Sequence, residues 1–130
     1  MQPTLLLGTR KGLIAYHSNG HGWRVENLSF EGQPVSIAYS DPRNQTWWAC
    51  LDHGHWGVKL HRSTDRGATW EEVPAPAYPE GEEVKDGVPA ATRYIWSMSQ
   101  GGRREARLWI GTDPGGLFVS DDGGGSFSLV

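Results

Sequence analysis

Short apolar runs, separated by polar turns rich in glycine, follow one another along the whole chain. The runs at 5–7, 47–51 and 108–110 are rich in leucine or tryptophan, and each is followed at once by Gly or Asp. No stretch keeps the spacing of three to four residues between apolar positions that an amphipathic helix needs. The pattern therefore predicts an all-β protein built from short strands.

The strand-like runs form three units with a common plan, in which two strands joined by a Gly-rich turn lead to a second turn that begins with serine. The serines that open this second turn, Ser18, Ser63 and Ser120, lie 45 and 57 residues apart. Four strands in a unit of about 40–50 residues are typical of β-propeller blades. We label the strands of a blade A to D, from the central channel outward. The predicted strands are 4–9, 13–17 and 23–27 (B to D of the first unit), then 35–40, 46–51, 58–63 and 69–73, then 94–99, 106–112, 117–120 and 126–130.

An eight-residue motif at the C–D turn occurs twice, at 63–70 (STDRGATW) and at 120–127 (SDDGGGSF). A short Asp can accept hydrogen bonds from the backbone of its own turn, and the Gly two residues later tolerates positive φ. Both copies fit Ser-x-Asp-x-Gly-x-Ser/Thr-aromatic, which resembles the Asp-box of the sialidase (BNR) repeat family. This resemblance implies a structural role for eight residues: Ser63, Asp65, Gly67, Trp70, Ser120, Asp122, Gly124 and Phe127.

The three units correspond to blades at about 4–27, 34–73 and 93–130 of one domain that spans 1–130. The first unit has no A strand, so the chain encodes just under three blades of a six- or seven-bladed type. Because closed propellers have about four to eight blades, we expect the partners to be the remaining blades of a longer protein or further copies of the chain.

The loops opposite the motifs are the predicted functional face, because B–C and D–A connections emerge at the same end of a blade. Arginine there suits a carboxylate or phosphate, although a solvated turn explains the same charges. The long acidic connection at 74–92 opens on this face as well. Exposed tryptophan can stack on a sugar, so a carbohydrate or another anionic small molecule is the expected ligand. The candidate binding residues are Arg10, Lys11, His53, His55, Trp56 and Arg93.

Three residues of the same loops are candidates for catalysis: Asp52, His53 and Asp113. A glycosidase would need two carboxylates about 5–5.5 Å or 6.5–9.5 Å apart, and Asp52 with Asp113 is the pair that the loops offer. His53 and His55 beside a carboxylate could also bind a metal, although a Gly-rich surface turn explains them without one. No metal or other cofactor is predicted.

The resemblance to sialidases implies an arginine triad, an Arg-Ile-Pro motif, a Tyr-Glu nucleophile pair and an acid Asp. Arg-Ile-Pro does not occur in this chain. We therefore expect a scaffold or a ligand-binding face without complete catalytic machinery. The alternative is a sialidase-like glycoside hydrolase that other blades or a second chain complete.

Charge and cysteine usage narrow the classes of partner. A net charge of −3 gives no basic surface for nucleic acid. The single cysteine, Cys50, excludes an internal disulfide and is expected to be a small buried apolar residue. Since the sequence shows no secretory signal and no apolar run that could span a bilayer, we expect a cytoplasmic protein that does not bind membranes.

Overall fold

The computed structural model describes residues 3–54 and 57–130, and it confirms the predicted all-β architecture: this part of the chain contains strands and no helix. The strands form three antiparallel sheets, which we call blades 1, 2 and 3, and one small hairpin. Blade 1 contains β1 (Thr4–Thr9), β2 (Gly12–Ser18) and β3 (Trp23–Ser29). Blade 2 contains β4 (Val35–Ser40), β5 (Trp47–His53), β6 (Gly57–Ser63) and β7 (Glu71–Val73). The hairpin pairs β8 (Glu83–Lys85) with β9 (Val88–Pro89), and blade 3 contains β10 (Tyr94–Gln100), β11 (Leu108–Asp113), β12 (Gly116–Ser120) and β13 (Ser128–Leu129).

The outermost strands of blades 2 and 3 begin later than the apolar pattern predicts. The amides of Thr69 and Ser126 donate to the carboxylates of Asp65 and Asp122, at 2.8 and 2.9 Å. These amides are therefore part of the turn, and strand pairing begins only at β7 and β13. The hairpin β8–β9 lies inside the connection that the sequence analysis treats as a loop.

Two adjacent tryptophans in β5 are buried on opposite faces of blade 2. Because successive side chains of a strand point to opposite faces, Trp47 and Trp48 lie on different sides, and each is only 2 % exposed. Ala49 and Leu51 pack with Leu13 of blade 1. Trp48 belongs to the cluster that joins blades 2 and 3, whose other buried members are Cys50, Leu60, Val73, Ile95, Met98, Leu108, Ile110 and Phe118. Burying each large apolar side chain contributes about 1.5–3 kcal/mol, so blade 2 is held by apolar packing on both sides.

The two motifs fold into the same hydrogen-bonded turn. The Ser63 hydroxyl donates to Asp65 Oδ1 at 2.7 Å and accepts the Gly67 amide at 2.8 Å. Ser120 makes the matching bonds to Asp122 and Gly124, at 2.7 and 2.9 Å. The side-chain hydroxyls at the seventh motif position, in Thr69 and Ser126, donate to the second carboxylate oxygen of each Asp.

Each motif turn packs against the preceding blade. Gly67 has φ of +82°, and a Cβ at this position would lie 2.8 Å from Asn27 Nδ2 of blade 1. Gly124 has φ of +92°, and its Cβ would lie 2.2 Å from the Trp48 ring of blade 2. The glycines are therefore required both by backbone conformation and by the close approach of the neighbouring blade.

Trp70 and Trp109 differ in their surroundings. The Trp70 indole N–H donates to Ser29 Oγ at 3.0 Å, and its ring centroid lies 4.9 Å from that of Phe30. Trp70 thus joins blade 2 to the end of blade 1. Trp109 is only partly buried and lies on the side of blade 3 that faces away from blade 2, with the Arg107 guanidinium 5.7 Å from its ring centroid.

Candidate functional site

Three blades contribute to one cavity on the face opposite the motifs. Arg10 comes from the turn between β1 and β2, Asp52 from the end of β5, and Tyr94 from the first position of β10. The cavity has a volume of about 340 Å³. Its lining consists of Arg10, Pro34, Val35, Ser36, Asp52 and Tyr94.

The turn that presents Arg10 is fixed by its own backbone. The Thr9 hydroxyl donates to the Gly12 carbonyl at 2.8 Å and accepts the Lys11 amide at 3.1 Å. The Lys11 carbonyl also accepts the Gly32 amide at 2.9 Å, which ties the turn to the connection between blades 1 and 2. The exposed Arg10 side chain therefore starts from a constrained backbone at the edge of the cavity.

A second cavity of about 440 Å³ lies beside blade 3. The Arg93 amide donates to the Asp113 carbonyl at 2.8 Å, and the Tyr78 hydroxyl donates to the Pro114 carbonyl at 2.7 Å, so the long connection is fastened to the β11–β12 turn at both of these points. The hairpin β8–β9 forms the other wall. The lining residues are Val84, Lys85, Val88, Arg93, Asp113 and Pro114.

The cations of this face form no ion pair with any residue in 3–54 or 57–130; they are Arg10, Lys11, Lys85 and Arg93. We call the end of the blades that carries the turns at Ser63 and Ser120 the motif end. Four arginines there form ion pairs with carboxylates. The pairs are Arg43–Asp41, Arg62–Glu71, Arg66–Glu26 and Arg107–Asp121, at 2.6, 3.1, 2.9 and 2.6 Å. Of the four cations on the predicted functional face, Arg10, Lys85 and Arg93 line its two cavities.

The two carboxylates considered for glycoside hydrolysis line different cavities. Asp52 lies with Arg10 and Tyr94, whereas Asp113 lies with Lys85 and Arg93. A glycosidase needs both carboxylates beside the same bond. The structure therefore places each carboxylate beside an arginine, in a different cavity.

The histidine loop is described only in part. His53 is the last residue of β5 and pairs with Gly57, while His55 and Trp56 lie outside the described residues. Within the described ranges, no group of three or more His, Cys, Asp and Glu side chains has the arrangement of a metal site. Cys50 is fully buried, and burial raises the pKa of its thiol to about 12, so it is not available as a nucleophile.

Sequence reasoning did not identify Lys85, Pro34 or Ser36 as part of this face. Lys85 lies in a charged connection with no periodic pattern, so its position depends on the hairpin β8–β9. Pro34 and Ser36 flank the start of β4, and the start of a strand A opens on the same face as the B–C loops. That topological rule, applied to the start of β4, would have found Pro34 and Ser36.

Nothing in the described part of the chain is a helix of the length and apolarity required to cross a membrane. No protein-family profile and no curated protein matches the sequence. A solved structure described as "YCF48 bound to D1 peptide" is similar, with a TM-score of 0.57 and 15 % sequence identity. The match covers 98 % of this chain and 35 % of that one. The similarity identifies the fold as that of a β-propeller, and the described chain contains just under three blades, since blade 1 has three strands and blades 2 and 3 have four.

Proposed function

We propose that the chain is an Asp-box propeller segment of the sialidase-like repeat type, and that the face opposite the motifs binds a peptide. The observation that carries the proposal is the convergence of Arg10, Asp52 and Tyr94, from three blades, on one cavity. A site that several rigid blades share can be specific, because each side chain starts from a fixed strand end.

The chemistry of the cavity suits an extended peptide with a carboxylate. Arg10 can donate two parallel hydrogen bonds to a carboxylate. Asp52 can accept from an amide or an amine, and Tyr94 offers an apolar ring with a polar edge. The neighbouring cavity, with Arg93 and Asp113, provides a second set of the same charges along the path of a longer segment.

The similar propeller structure adds independent support, because its description states that YCF48 is bound to a peptide. The Asp-box assignment rests on the matching turns at Ser63 and Ser120. The glycoside hydrolase alternative needs Asp52 and Asp113 at a single bond, and their separate cavities give it no comparable support.

Selection from a random peptide library on the immobilised protein tests the proposal. We expect enriched peptides to contain Asp, Glu or a free C-terminal carboxylate. Replacing Arg10 by Ala should weaken their binding at least tenfold, which corresponds to about 1.4 kcal/mol. The matched control is Arg103→Ala, an exposed arginine in the connection between β10 and β11 at the motif end. The proposal is wrong if no peptide is enriched over the bare support, or if both variants bind the enriched peptides as the unmodified protein does.

A further inference from the structure

The interface between consecutive blades follows one rule in this chain. We call front the side of a blade that faces the preceding blade, and back the side that faces the following one. The back of blade 1 packs on the front of blade 2, where Leu13 meets Val35. The back of blade 2 packs on the front of blade 3, where Leu60 and Phe118 share one cluster.

Two faces of this kind have no partner blade within the described residues. The front of blade 1 exposes Leu5, Leu7, Trp23, Val25 and Leu28, and Val25 is 55 % exposed. These residues share one face of the sheet, since Leu5 pairs with Tyr16 and Tyr16 pairs with Val25. A patch of this kind on a folded protein marks an interaction surface.

The back of blade 3 is apolar as well. Leu117 is 46 % exposed and Val130 71 % exposed, and both lie on the side away from the core that contains Phe118. Trp109 pairs with Val119 on the same side. Trp96 on β10 is also exposed.

Trp109 occupies in blade 3 the position that Trp48 occupies in blade 2. Trp48 pairs with Arg62, the residue before the motif serine, and Trp109 pairs with Val119, the residue before the next motif serine. The Trp48 ring packs on Gly124, four residues after Ser120. A surface equivalent to Gly124 is therefore what Trp109 is placed to cover.

In blade 1 the turn after the serine is shorter, because Ser18 pairs directly with Trp23. Its glycine four residues after Ser18 is Gly22, which has φ of +138°, and a Cβ built there would meet nothing within 4 Å. The corresponding atom of Gly124 would lie 2.2 Å from a tryptophan ring. The open space at Gly22 lies at the edge of the front of blade 1, where Ser18 pairs with Trp23.

We propose that a second copy of this chain covers both faces, with the back of blade 3 of each copy on the front of blade 1 of the other. This arrangement repeats the two interfaces inside the chain. Two copies together have six blades, and closed propellers have about four to eight. The resulting assembly has a twofold axis and two identical contacts.

The molar mass by light scattering tests the assembly, with 14.3 kDa for one chain. We expect the unmodified protein to have twice this mass. Leu117→Asp on the back of blade 3 and Leu5→Lys on the front of blade 1 should each halve it, since either change alters both contacts. Val84→Asp, which replaces an exposed apolar residue of β8 outside both faces, is the control and should leave the mass doubled.

Mixing the two variants makes the test independent of misfolding. An assembly of one Leu117→Asp copy and one Leu5→Lys copy has one contact with both changes and one contact that is unaltered. We expect the mixture to recover the doubled mass, which damaged proteins would not do. A single-chain mass for the unmodified protein overturns the proposal. A Leu5→Lys variant that keeps the doubled mass also overturns it, because the front of blade 1 would then lie outside the contact.

Discussion

The two ends of the blades use arginine in different ways. At the motif end, Arg43 donates to both oxygens of Asp41, and it also donates to the carbonyls of Arg104 and Arg107 in the next blade. At the opposite end, Arg10 and Arg93 line cavities and form no ion pair within the described residues. A charge that is satisfied inside the chain stabilises the fold, whereas one beside a cavity is available to a ligand.

At the motif end, arginines also connect neighbouring blades. Arg66 of the first motif turn donates to both carboxylate oxygens of Glu26 in blade 1, at 2.9 Å each, and to the hydroxyl of Thr4. Arg62 reaches the Gly123 carbonyl of the second motif turn at 3.4 Å. The motif end therefore works as a set of ties between blades, which leaves the opposite end free to vary its side chains.

Removal of Arg43 should have the largest effect on stability. Asp41 is 1 % exposed, and Arg43→Ala would leave its carboxylate buried without its main partner. We expect a loss of about 3 kcal/mol in the free energy of unfolding, measured by urea titration. Arg10→Ala, the control from the opposite end, should change stability by less than about 0.5 kcal/mol. Equal effects of the two changes would contradict the distinction between the ends.

A methyl group at Gly124 should have the next largest effect. Gly124→Ala places a Cβ against the Trp48 ring and puts alanine at positive φ, so we expect a loss of about 2 kcal/mol or more. Gly125→Ala is the matched control, since the nearest atom to its Cβ is 3.4 Å away. The midpoints of thermal unfolding of the two variants decide the comparison. If Gly125→Ala were the more damaging change, the packing of the turn on Trp48 would not be what requires glycine.

Acid should lower the free energy of unfolding through the two motif aspartates. The Thr69 hydroxyl, then its amide and the Ser63 hydroxyl, lower the pKa of Asp65 from 3.8 to about 2. The corresponding groups of Ser126 and Ser120 also lower the pKa of Asp122. The unfolded chain then binds more protons than the folded one as pH falls from about 4 to 2, so stability is lost across this window.

Thermal unfolding between pH 6 and pH 2 measures this loss. The midpoint should vary little down to about pH 4 and then fall. In the double variant Asp65→Asn with Asp122→Asn, the midpoint should start lower and depend less on pH below 4. An unchanged slope in that variant would show that other carboxyl groups account for the acid sensitivity.

The sequence predicted the blade plan because its signals are local. The spacing of Ser63 and Ser120, and the apolar runs before them, are enough to place the strands of blades 2 and 3. The contacts of Arg43 were not predictable in this way, because the carbonyls that it reaches are 61 and 64 residues distant. Trp47 and Trp48 lie on opposite faces of blade 2. Alternation along a strand predicts that they lie on opposite faces, but not which neighbouring blade each of them faces.

The site was predictable only as a face. The rule that B–C and D–A connections emerge at the same end of a blade assigned Arg10, Asp52 and Arg93 to one face. Their division between two cavities depends on the hairpin β8–β9. The sequence of this segment, rich in Glu and Pro, does not predict a hairpin. A pairing of Asp52 with Asp113 was inferred from their adjacent loops, and the hairpin and the β11–β12 turn give Asp113 different neighbours.

The most direct test of the distinction between the two ends compares Arg10→Ala with Arg66→Ala. For each variant we would measure the affinity for a selected acidic peptide and the free energy of unfolding. We expect Arg10→Ala to bind at least tenfold more weakly with unchanged stability. Arg66→Ala should bind normally and lose at most about 1 kcal/mol, as is typical of an exposed ion pair. If Arg66→Ala lost binding while Arg10→Ala kept it, the ligand would belong to the motif end and the account would be wrong.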